Sequence, residues 1–313
     1  MNESKIAIIL STYNGEKFLD DQLLSLKNQT FPFQLFIRDD GSTDNTIKKL
    51  YHWKDQFNVK IVEGENLGAL ASFNLLLQMI PSDCDYILFC DQDDIWENNK
   101  IENTVLNLQE YETKLGKKTP LLFHSDLILI NENSNIISNS FWRFQRIYPL
   151  LGHRLNRLLV QNTVTGCSAG MNRTLFNLIG EIPAEAKMHD WWVALIACSF
   201  GKIISSGIPL IRYRIHRSNA VGGKTISFKR IFNTLKELKL FYQNWKLENE
   251  NVTKQVNVFS EKYQFSLPTN AKLIIDKYLL ASASPVLYKK FLQFRFRFFQ
   301  HGWYRVIISF LLF

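Results

Sequence analysis

The first 130 residues alternate short apolar runs with amphipathic stretches, and this alternation predicts the fold class. The apolar runs predict strands at residues 5–10, 34–38, 59–62, 86–90 and 121–130. The stretches between them space apolar residues three or four apart and predict helices at residues 16–28, 46–57, 69–80 and 100–115. Strands and helices that alternate at this spacing predict an α/β fold with a mostly parallel, doubly wound sheet flanked by helices.

Polar residues follow four of the predicted strands, each time at the carboxyl end of the strand. The four clusters are residues 11–14, 39–42, 65–68 and 91–94. Ligands of open α/β sheets bind at the edge formed by the carboxyl ends of the strands. We therefore expect the four clusters to converge on one crevice.

The chain is less regular after residue 130 and becomes helical towards its end. Small residues at 165–170 predict a turn, residues 189–200 predict an apolar helix, and residues 202–216 predict one or two strands. After Gly222 and Gly223 the pattern is helical and basic. We expect an α/β domain over residues 1–222 and a helical C-terminal appendage over residues 223–313.

The basic charge is concentrated in this C-terminal region. The net charge is +8, but residues 1–220 hold 22 basic and 24 acidic side chains, whereas residues 221–313 hold 15 and 5. A strongly basic region favours an anionic partner, either nucleic acid or a membrane surface.

The final segment, residues 291–313, mixes aromatic side chains with Arg295, Arg297 and Arg305. Its apolar run is too short to span a bilayer. The mixture favours an interfacial helix on a membrane surface, since its aromatic-rich apolar end fits lipid at least as well as nucleic acid. The alternative is a terminal helix that packs on the α/β domain or on a second subunit.

The sequence disfavours a signal peptide and a zinc site. Its four cysteines contain no CxxC pair, and its N-terminus has only a short apolar run. No apolar stretch reaches the length of a transmembrane helix. We expect a cytoplasmic protein that is peripheral on the cytoplasmic face of the membrane.

Three carboxylates follow the buried strand at residues 86–90, namely Asp91, Asp93 and Asp94. Positions two apart on extended backbone face the same way, so Asp91 and Asp93 can share one side. Two carboxylates so close repel unless a cation lies nearby, and Mg²⁺ and Mn²⁺ prefer such oxygen ligands. The segment predicts a divalent metal site, with a solvated acidic turn as the alternative.

The cluster that begins at Asp39 suits a nucleoside. A carboxylate there can accept hydrogen bonds from ribose hydroxyls or from a base N–H. The alternative is a capped turn, because Ser42 or Thr43 can begin the next helix. The chain has no GxGxxG or GxxxxGK[ST] motif, which argues against a dinucleotide dehydrogenase and a P-loop enzyme.

Two later segments also carry candidate chemistry. Asp190 lies beside Trp191 and Trp192, and a carboxylate against apolar rings gains the proton affinity of a general base; the alternative is an N-capping residue. The strand near residue 214 ends in several basic side chains, which suit a diphosphate, while His216 is a candidate metal ligand. The alternative is an exposed basic strand end.

Taken together, these segments resemble the family-2 glycosyltransferases, which have the GT-A fold with a Rossmann-like sheet. The resemblance covers residues 5–217 and is carried, in order, by STYNG, DDGSTDNT, NLGALASFN, DQDDIW, TGCSAGMN, HDWW and YRIH. The DQDDIW and HDWW variants are most similar to bacterial rhamnosyltransferases of surface-polysaccharide assembly.

The resemblance implies roles for the matching positions. Asp190 would be the catalytic base that deprotonates the acceptor, and Asp91 and Asp93 would hold Mn²⁺ or Mg²⁺, with Asp93 as the direct ligand and His216 nearby. The nucleotide-sugar site would consist of Ser11, Tyr13, Asp40, Asn66, Gly68, Asp91 and Gln92. Arg214 and His216 would contact the diphosphate, and Gly166, Cys167 and Trp191 would line the acceptor side.

The implied function is an inverting transfer of a sugar from a nucleotide-diphosphate donor to a hydroxyl of a glycan or lipid-linked oligosaccharide. L-rhamnose from dTDP-rhamnose is the first expectation for the donor, and a UDP-hexose or UDP-N-acetylhexosamine is the alternative. A non-catalytic sugar-nucleotide or glycan-binding protein on the same scaffold is the alternative of another class. The presence of both Asp93 and Asp190 favours catalysis.

Overall fold

The computed structural model describes residues 4–216 and 235–301, and gives the backbone alone for residues 235–241. The chain forms two compact units. The first comprises Met1–Phe141, Val164–Ala184 and Met188–Arg214; the second comprises Trp142–Thr163, Glu185–Lys187 and Ile215–Phe313. The boundary expected at residues 222 and 223 lies outside the described residues.

A seven-stranded sheet forms the centre of the first unit, in the order β10-β6-β9-β4-β1-β2-β3. Its strands are β1 (Ile6–Thr12), β2 (Gln34–Asp39), β3 (Val59–Glu63), β4 (Tyr86–Cys90), β6 (Leu121–Ser125), β9 (Gly170–Asn172) and β10 (Lys202–Ser206). All pairs are parallel except those of β9, which is antiparallel to β4 and β6. The mostly parallel α/β sheet expected from the sequence is confirmed.

Helices cover this sheet because each presents an apolar stripe to it. They are α1 (Leu19–Lys27), α2 (Thr46–Trp53), α3 (Ala69–Gln78), α4 (Lys100–Leu115), α8 (Arg173–Ile179) and α9 (His189–Phe200). The strands beneath them read as continuous apolar runs, and all five residues of β4 and of β6 are buried. This pattern is typical of strands covered on both faces.

Two local features differ from the sequence prediction. The run at residues 121–130 divides into β6 and a second strand, β7 (Ile128–Ile130), because the chain turns at Asp126 and Leu127. The small-residue turn at 165–170 leads directly into the three-residue strand β9, which the sequence did not predict.

A second, smaller sheet has the order β5-β11-β7-β8. It is formed by β7 with β5 (Ile95–Trp96), β8 (Ile136–Ser138) and β11 (Ile211–Arg214). Strand β5 begins directly after the three carboxylates that follow β4, and it pairs antiparallel with β11. The carboxylate segment is therefore held between the two sheets of the first unit.

The second unit is helical. Its elements are α6 (Pro149–Gly152), α7 (Leu155–Leu158), α10 (Leu235–Lys262), α11 (Thr269–Ala283) and α12 (Val286–Phe296), preceded by α5 (Phe141–Gln145) at the boundary. Pro268 and Pro285 stand immediately before α11 and α12, where a missing N–H costs no helical hydrogen bond. The helical C-terminal appendage is confirmed over the described residues, and residues 142–163 join it.

Across residues 4–216 and 235–301, no helix has both the length and the apolar character needed to cross a bilayer.

Candidate functional site

The four polar clusters converge at the carboxyl edge of the large sheet, as the sequence predicted. The amide of Tyr13 donates to Oε1 of Gln92 over 2.9 Å, and the amide of Asn14 donates to Oγ of Ser42 over 2.9 Å. The amide of Gly68 completes the series by donating to Asp40 Oδ2 over 2.8 Å. Hydrogen bonds therefore connect the ends of β1, β2, β3 and β4.

Asp190 lies near the carboxylates that follow β4, although almost one hundred positions separate them in the sequence. Its Oδ2 accepts a hydrogen bond from the Gly166 amide over 3.0 Å, and the sulfur of the next residue, Cys167, lies within 4.8 Å of an oxygen atom of Asp91. Burial, and then the negative charges of Asp93 and Asp190, raise the pKa of Asp91 to about 7. The fold thus brings the candidate base near the candidate metal ligands, and the repulsion at Asp91 favours a bound cation.

The group that could hold a metal ion differs in part from the expected set. Oxygen atoms of Asp91 and Asp94 and the sulfur of Cys167 lie within 4.8 Å of one another. The sequence instead predicted Asp91 and Asp93, with His216. Because His216 belongs to the second unit, its contact with a metal or a diphosphate stays a prediction.

Asp94, a member of this group, is completely buried. Its Oδ1 accepts a hydrogen bond from the amide of Arg214 over 3.0 Å, and its Oδ2 has no hydrogen-bond partner among the described residues. Burial, followed by the charges of Asp93 and Asp91, raises the pKa of Asp94 well above its usual range. Three acids crowded at this position fit a divalent cation, whose positive charge would offset their mutual repulsion.

A buried lysine also lies near the acids. Lys100 is completely buried, with Nζ 4.5 Å from the Trp96 ring and 3.4 Å from the carbonyl oxygen of Ser168. Burial lowers the pKa of Lys100 to about 8. Lys100 was not among the predicted site residues. It lies on the buried stripe of α4 with Thr104 and Leu108, which is an unusual position for a lysine.

Arg214 has a different role from the diphosphate contact expected from the sequence. Its side chain is 1 % exposed. Nε donates to the carbonyl oxygen of Asp93 over 2.9 Å, one Nη donates to Asp21 over 2.8 Å, and the other donates to the carbonyl oxygen of Glu132 and to Ser134. The guanidinium also lies over the Phe18 ring at 4.6 Å. Arg214 therefore fixes the backbone that carries Asp93.

Tyr13 and Gln92 contact each other at the sheet edge that carries the acids. The Gln92 amide accepts from the backbone N–H of Tyr13 and donates to its carbonyl oxygen, each over 2.9 Å. This double contact fixes the backbone of Tyr13, and the residue is 45 % exposed. An exposed aromatic ring can stack on a nucleobase. Ser11, two residues earlier in β1, forms a 2.7 Å hydrogen bond with the hydroxyl of Ser72.

The Asp40 carboxylate is engaged inside the protein. It forms an ion pair with Arg38, and it accepts hydrogen bonds from the amides of Leu67 and Gly68. Gly68 has φ of +84°, a conformation that favours glycine, while the neighbouring Asn66 is exposed. In this structure Asp40 holds the loop that presents Asn66, and its own contact with a nucleoside stays a prediction.

Asp190 lies in the first turn of α9, where the exposed backbone amides favour an anion. Its Oδ2 accepts a hydrogen bond from the Gly166 amide over 3.0 Å, and its Oδ1 accepts one from the Trp191 amide over 2.6 Å. Trp191 itself is 8 % exposed. Two amides thus orient the carboxylate, so its environment is more polar than the neighbouring indoles suggested.

His189, the residue before Asp190 in α9, is buried at this site and was not among the predicted site residues. Its ring packs between Phe73 and Phe89, with centroid distances of 3.9 and 4.7 Å, and burial lowers its pKa to about 3. A Cβ on Gly166 would lie 2.9 Å from His189 Nε2, so only glycine allows this approach. Burial raises the pKa of the Cys167 thiol, which keeps it protonated beside the acids.

Comparison with known proteins gives one family. Residues 7–177, just over half of the chain, match the family described as glycosyl transferase family 2.

Two characterised relatives match most of the chain. A UDP-Glc:alpha-D-GlcNAc-diphosphoundecaprenol beta-1,3-glucosyltransferase, WfgD of Escherichia coli, is 26% identical over 238 residues, which are 75% of this chain and 87% of the relative. The dTDP-rhamnosyl transferase RfbG of Shigella flexneri is 26% identical over 262 residues, 80% of this chain and 85% of the relative.

Solved structures share the fold at low sequence identity. Staphylococcus aureus TarS 1–349 in complex with UDP has a TM-score of 0.54 at 16% identity, covering 88% of this chain and 69% of that one. The mannosyltransferase PcManGT from Pyrobaculum calidifontis in complex with GDP-Man and Mn²⁺ has a TM-score of 0.53 at 14% identity, covering 98% and 86%. The fold is that of the GT-A glycosyltransferases.

Proposed function

Because this chain belongs to glycosyl transferase family 2, we propose that it transfers a sugar from a nucleotide-diphosphate donor to a hydroxyl of a glycan or lipid-linked glycan, with inversion at the anomeric carbon and with Mn²⁺ or Mg²⁺. The reaction serves cell-surface polysaccharide synthesis, on the cytoplasmic face of the membrane. The observation that carries this proposal is the geometry that brings Asp190 near the acids after β4: Asp190 accepts a hydrogen bond from the Gly166 amide over 3.0 Å, and the sulfur of the next residue, Cys167, lies within 4.8 Å of an oxygen atom of Asp91.

Each part of the cleft has a task in this reaction. The Tyr13 ring stacks on the base, while Asp40 and Asn66 shape the nucleoside side. Asp91 and Asp93 would hold the metal ion, and Asp94 is completely buried next to them in the chain. When bound, Mn²⁺ or Mg²⁺ supplies the positive charge that stabilises the departing nucleoside diphosphate.

The acceptor hydroxyl is activated by Asp190. Since its two oxygens are held by the amides of Gly166 and Trp191, the carboxylate is oriented before the acceptor arrives. Asp190 takes the hydroxyl proton as the acceptor oxygen attacks the anomeric carbon from the face opposite the diphosphate. One displacement inverts the configuration, and no covalent intermediate with the enzyme forms.

For the donor we propose dTDP-L-rhamnose, with a UDP-hexose or UDP-N-acetylhexosamine as the second candidate. The match to RfbG supports the first, and the match to WfgD supports the second. A thermal-shift panel of dTDP, UDP and GDP and their sugar conjugates, with and without Mn²⁺, separates them. We expect the largest stabilisation from dTDP-rhamnose with Mn²⁺.

The same panel tests the proposal as a whole. Stabilisation by a sugar nucleotide must be followed by release of its nucleoside diphosphate when an acceptor glycan is added. Binding without turnover, for every donor and metal tried, would instead support a non-catalytic sugar-nucleotide-binding protein.

We expect Arg214→Lys to weaken Mn²⁺ binding, because lysine cannot make the four side-chain contacts that fix the backbone of Asp93. Loss of a partner behind a metal ligand commonly costs about 10–100-fold in affinity. Mn²⁺ affinity measured by electron paramagnetic resonance of the free ion checks this value, alongside circular dichroism of the apoprotein.

The matched control is Arg212→Lys in the same strand. The Arg212 side chain is 45% exposed and pairs with Glu97, so its replacement should leave Mn²⁺ affinity unchanged. If both variants bind Mn²⁺ like the wild type while remaining folded, Arg214 does not position the metal ligands.

A further inference from the structure

Two segments of the second unit contain basic residues and no acidic ones. Residues 142–163 carry Arg143, Arg146, Arg154 and Arg157, and residues 286–301 carry Lys289, Lys290, Arg295 and Arg297. The long helix α10 of the same unit, by contrast, has Glu248, Glu250 and Glu261 among its lysines. Both segments are therefore basic in composition.

The two segments lie side by side, although about 140 residues separate them in sequence. The Tyr148 amide donates to His301 Nδ1 over 3.2 Å, and the His301 amide donates to Gln161 Oε1 over 2.7 Å. Asn156 Nδ2 donates to the carbonyl oxygen of Phe296 over 2.8 Å. Their charges consequently add up on one part of the unit.

Both segments also expose large apolar side chains. Leu287, Phe291 and Phe294 follow a helical spacing along α12 and are 85%, 58% and 72% exposed, while Leu292 of the same helix is buried. In the other segment Leu150 is 80% exposed and Tyr148 is 55% exposed. Apolar groups clustered in this way, unlike scattered ones, mark an interaction surface.

We propose that residues 144–151 and α12 together form one membrane-docking surface, whose apolar side chains enter the interfacial region of a bilayer while the surrounding cations contact anionic headgroups. This inference deepens the membrane location within the proposed function and adds residues 144–151, which the C-terminal tail alone does not include. Exposed leucine and phenylalanine with tyrosine, arginine and lysine around them have the composition of interfacial segments.

The charge distribution favours lipid over a second copy of the chain. In a twofold dimer this surface would meet itself, so cations would face cations with no acidic residue in either segment to pair with them. Nucleic acid would satisfy the charges, but it would leave the strongly exposed Leu287 and Leu150 in water. An anionic bilayer satisfies both the charges and the apolar groups.

The test is flotation of the full chain with vesicles of phosphatidylcholine alone or of equimolar phosphatidylcholine and phosphatidylglycerol. We expect binding to the anionic vesicles. The double variant Leu150→Ser with Leu151→Ser, and separately Leu287→Ser with Phe291→Ser, should each lower the partition coefficient about tenfold or more. Phe265→Ser is the matched control, because Phe265 is 95% exposed in the same unit but lies outside both segments.

The proposal would be overturned if the wild type and both double variants bound vesicles equally, or if neutral and anionic vesicles bound the protein equally. It would also be overturned if light scattering showed the wild type as a dimer and the double variants as monomers. Binding that nuclease treatment abolishes would assign the surface to nucleic acid. Release of nucleoside diphosphate with a water-soluble acceptor is measured in parallel. A double variant that loses flotation but keeps full turnover has lost only this surface. Absence of turnover in the wild type would instead count against the proposed function.

Discussion

Asp190→Asn is expected to reduce the turnover of sugar transfer by about 10²–10⁴-fold, the usual contribution of a general base. Asparagine keeps the shape of the side chain, and its carbonyl oxygen can still accept the hydrogen bond from the Gly166 amide. What it loses is the capacity to take the proton of the acceptor hydroxyl. The donor site at Tyr13 and Asp93 is untouched, so the dissociation constant of the donor should stay within about threefold of the wild-type value.

Calorimetry of donor binding and a single-turnover assay separate these two quantities. Asp83→Asn is the control, because Asp83 forms an exposed ion pair with Lys5 and should not change either measurement. If Asp190→Asn weakens donor binding and turnover to the same extent, Asp190 belongs to the donor site and another group is the base.

The convergence of the polar clusters followed from the sequence because parallel strands impose it. Once residues 5–10, 34–38 and 86–90 are recognised as neighbouring strands with helices between them, their carboxyl ends must lie at one edge. The hydrogen bonds from Tyr13 to Gln92 and from Gly68 to Asp40 express that geometry. Periodicity was sufficient here, since it determines which end of each element a residue occupies.

Periodicity does not reveal the partner of a polar side chain. Arg214 reads as a free cation at a strand end, yet it contacts residues 121 and 193 positions away in the sequence. Asp40 reads as a ligand for ribose, yet Arg38 and two loop amides engage its oxygens. A charge near a site either contacts the ligand or supports the residues that do, and only the tertiary contacts distinguish the two.

The same limit applies to the second unit. A charge count along the chain found the basic tail, but residues 142–163 have no long periodic helix and were assigned to the α/β domain. Their contacts with residues 296–301 became visible only in the folded chain. Short helices such as α6 and α7, with four residues each, are specified by tertiary packing more than by local pattern.

Asp93→Asn is expected to abolish the stabilisation that Mn²⁺ gives to the protein and to lower transfer in parallel. The structure leaves two candidates for the ligand beside Asp91. Asp94 is completely buried and accepts from the Arg214 amide, whereas Asp93 lies at the partly exposed position where a donor diphosphate can approach. We therefore assign the ligand to Asp93 and a structural role to Asp94.

Asp94→Asn is the matched variant that decides between them. Its side-chain oxygen can keep the hydrogen bond from Arg214, and the change removes a carboxyl whose pKa burial raises well above its usual range. Its Mn²⁺-dependent thermal shift should therefore equal that of the wild type. For Asp93→Asn the Mn²⁺ affinity should fall by more than about 100-fold, since even partners behind a ligand commonly contribute about 10–100-fold. The opposite pattern, with the metal response lost in Asp94→Asn and kept in Asp93→Asn, would make the buried group of Asp91, Asp94 and Cys167 the metal site.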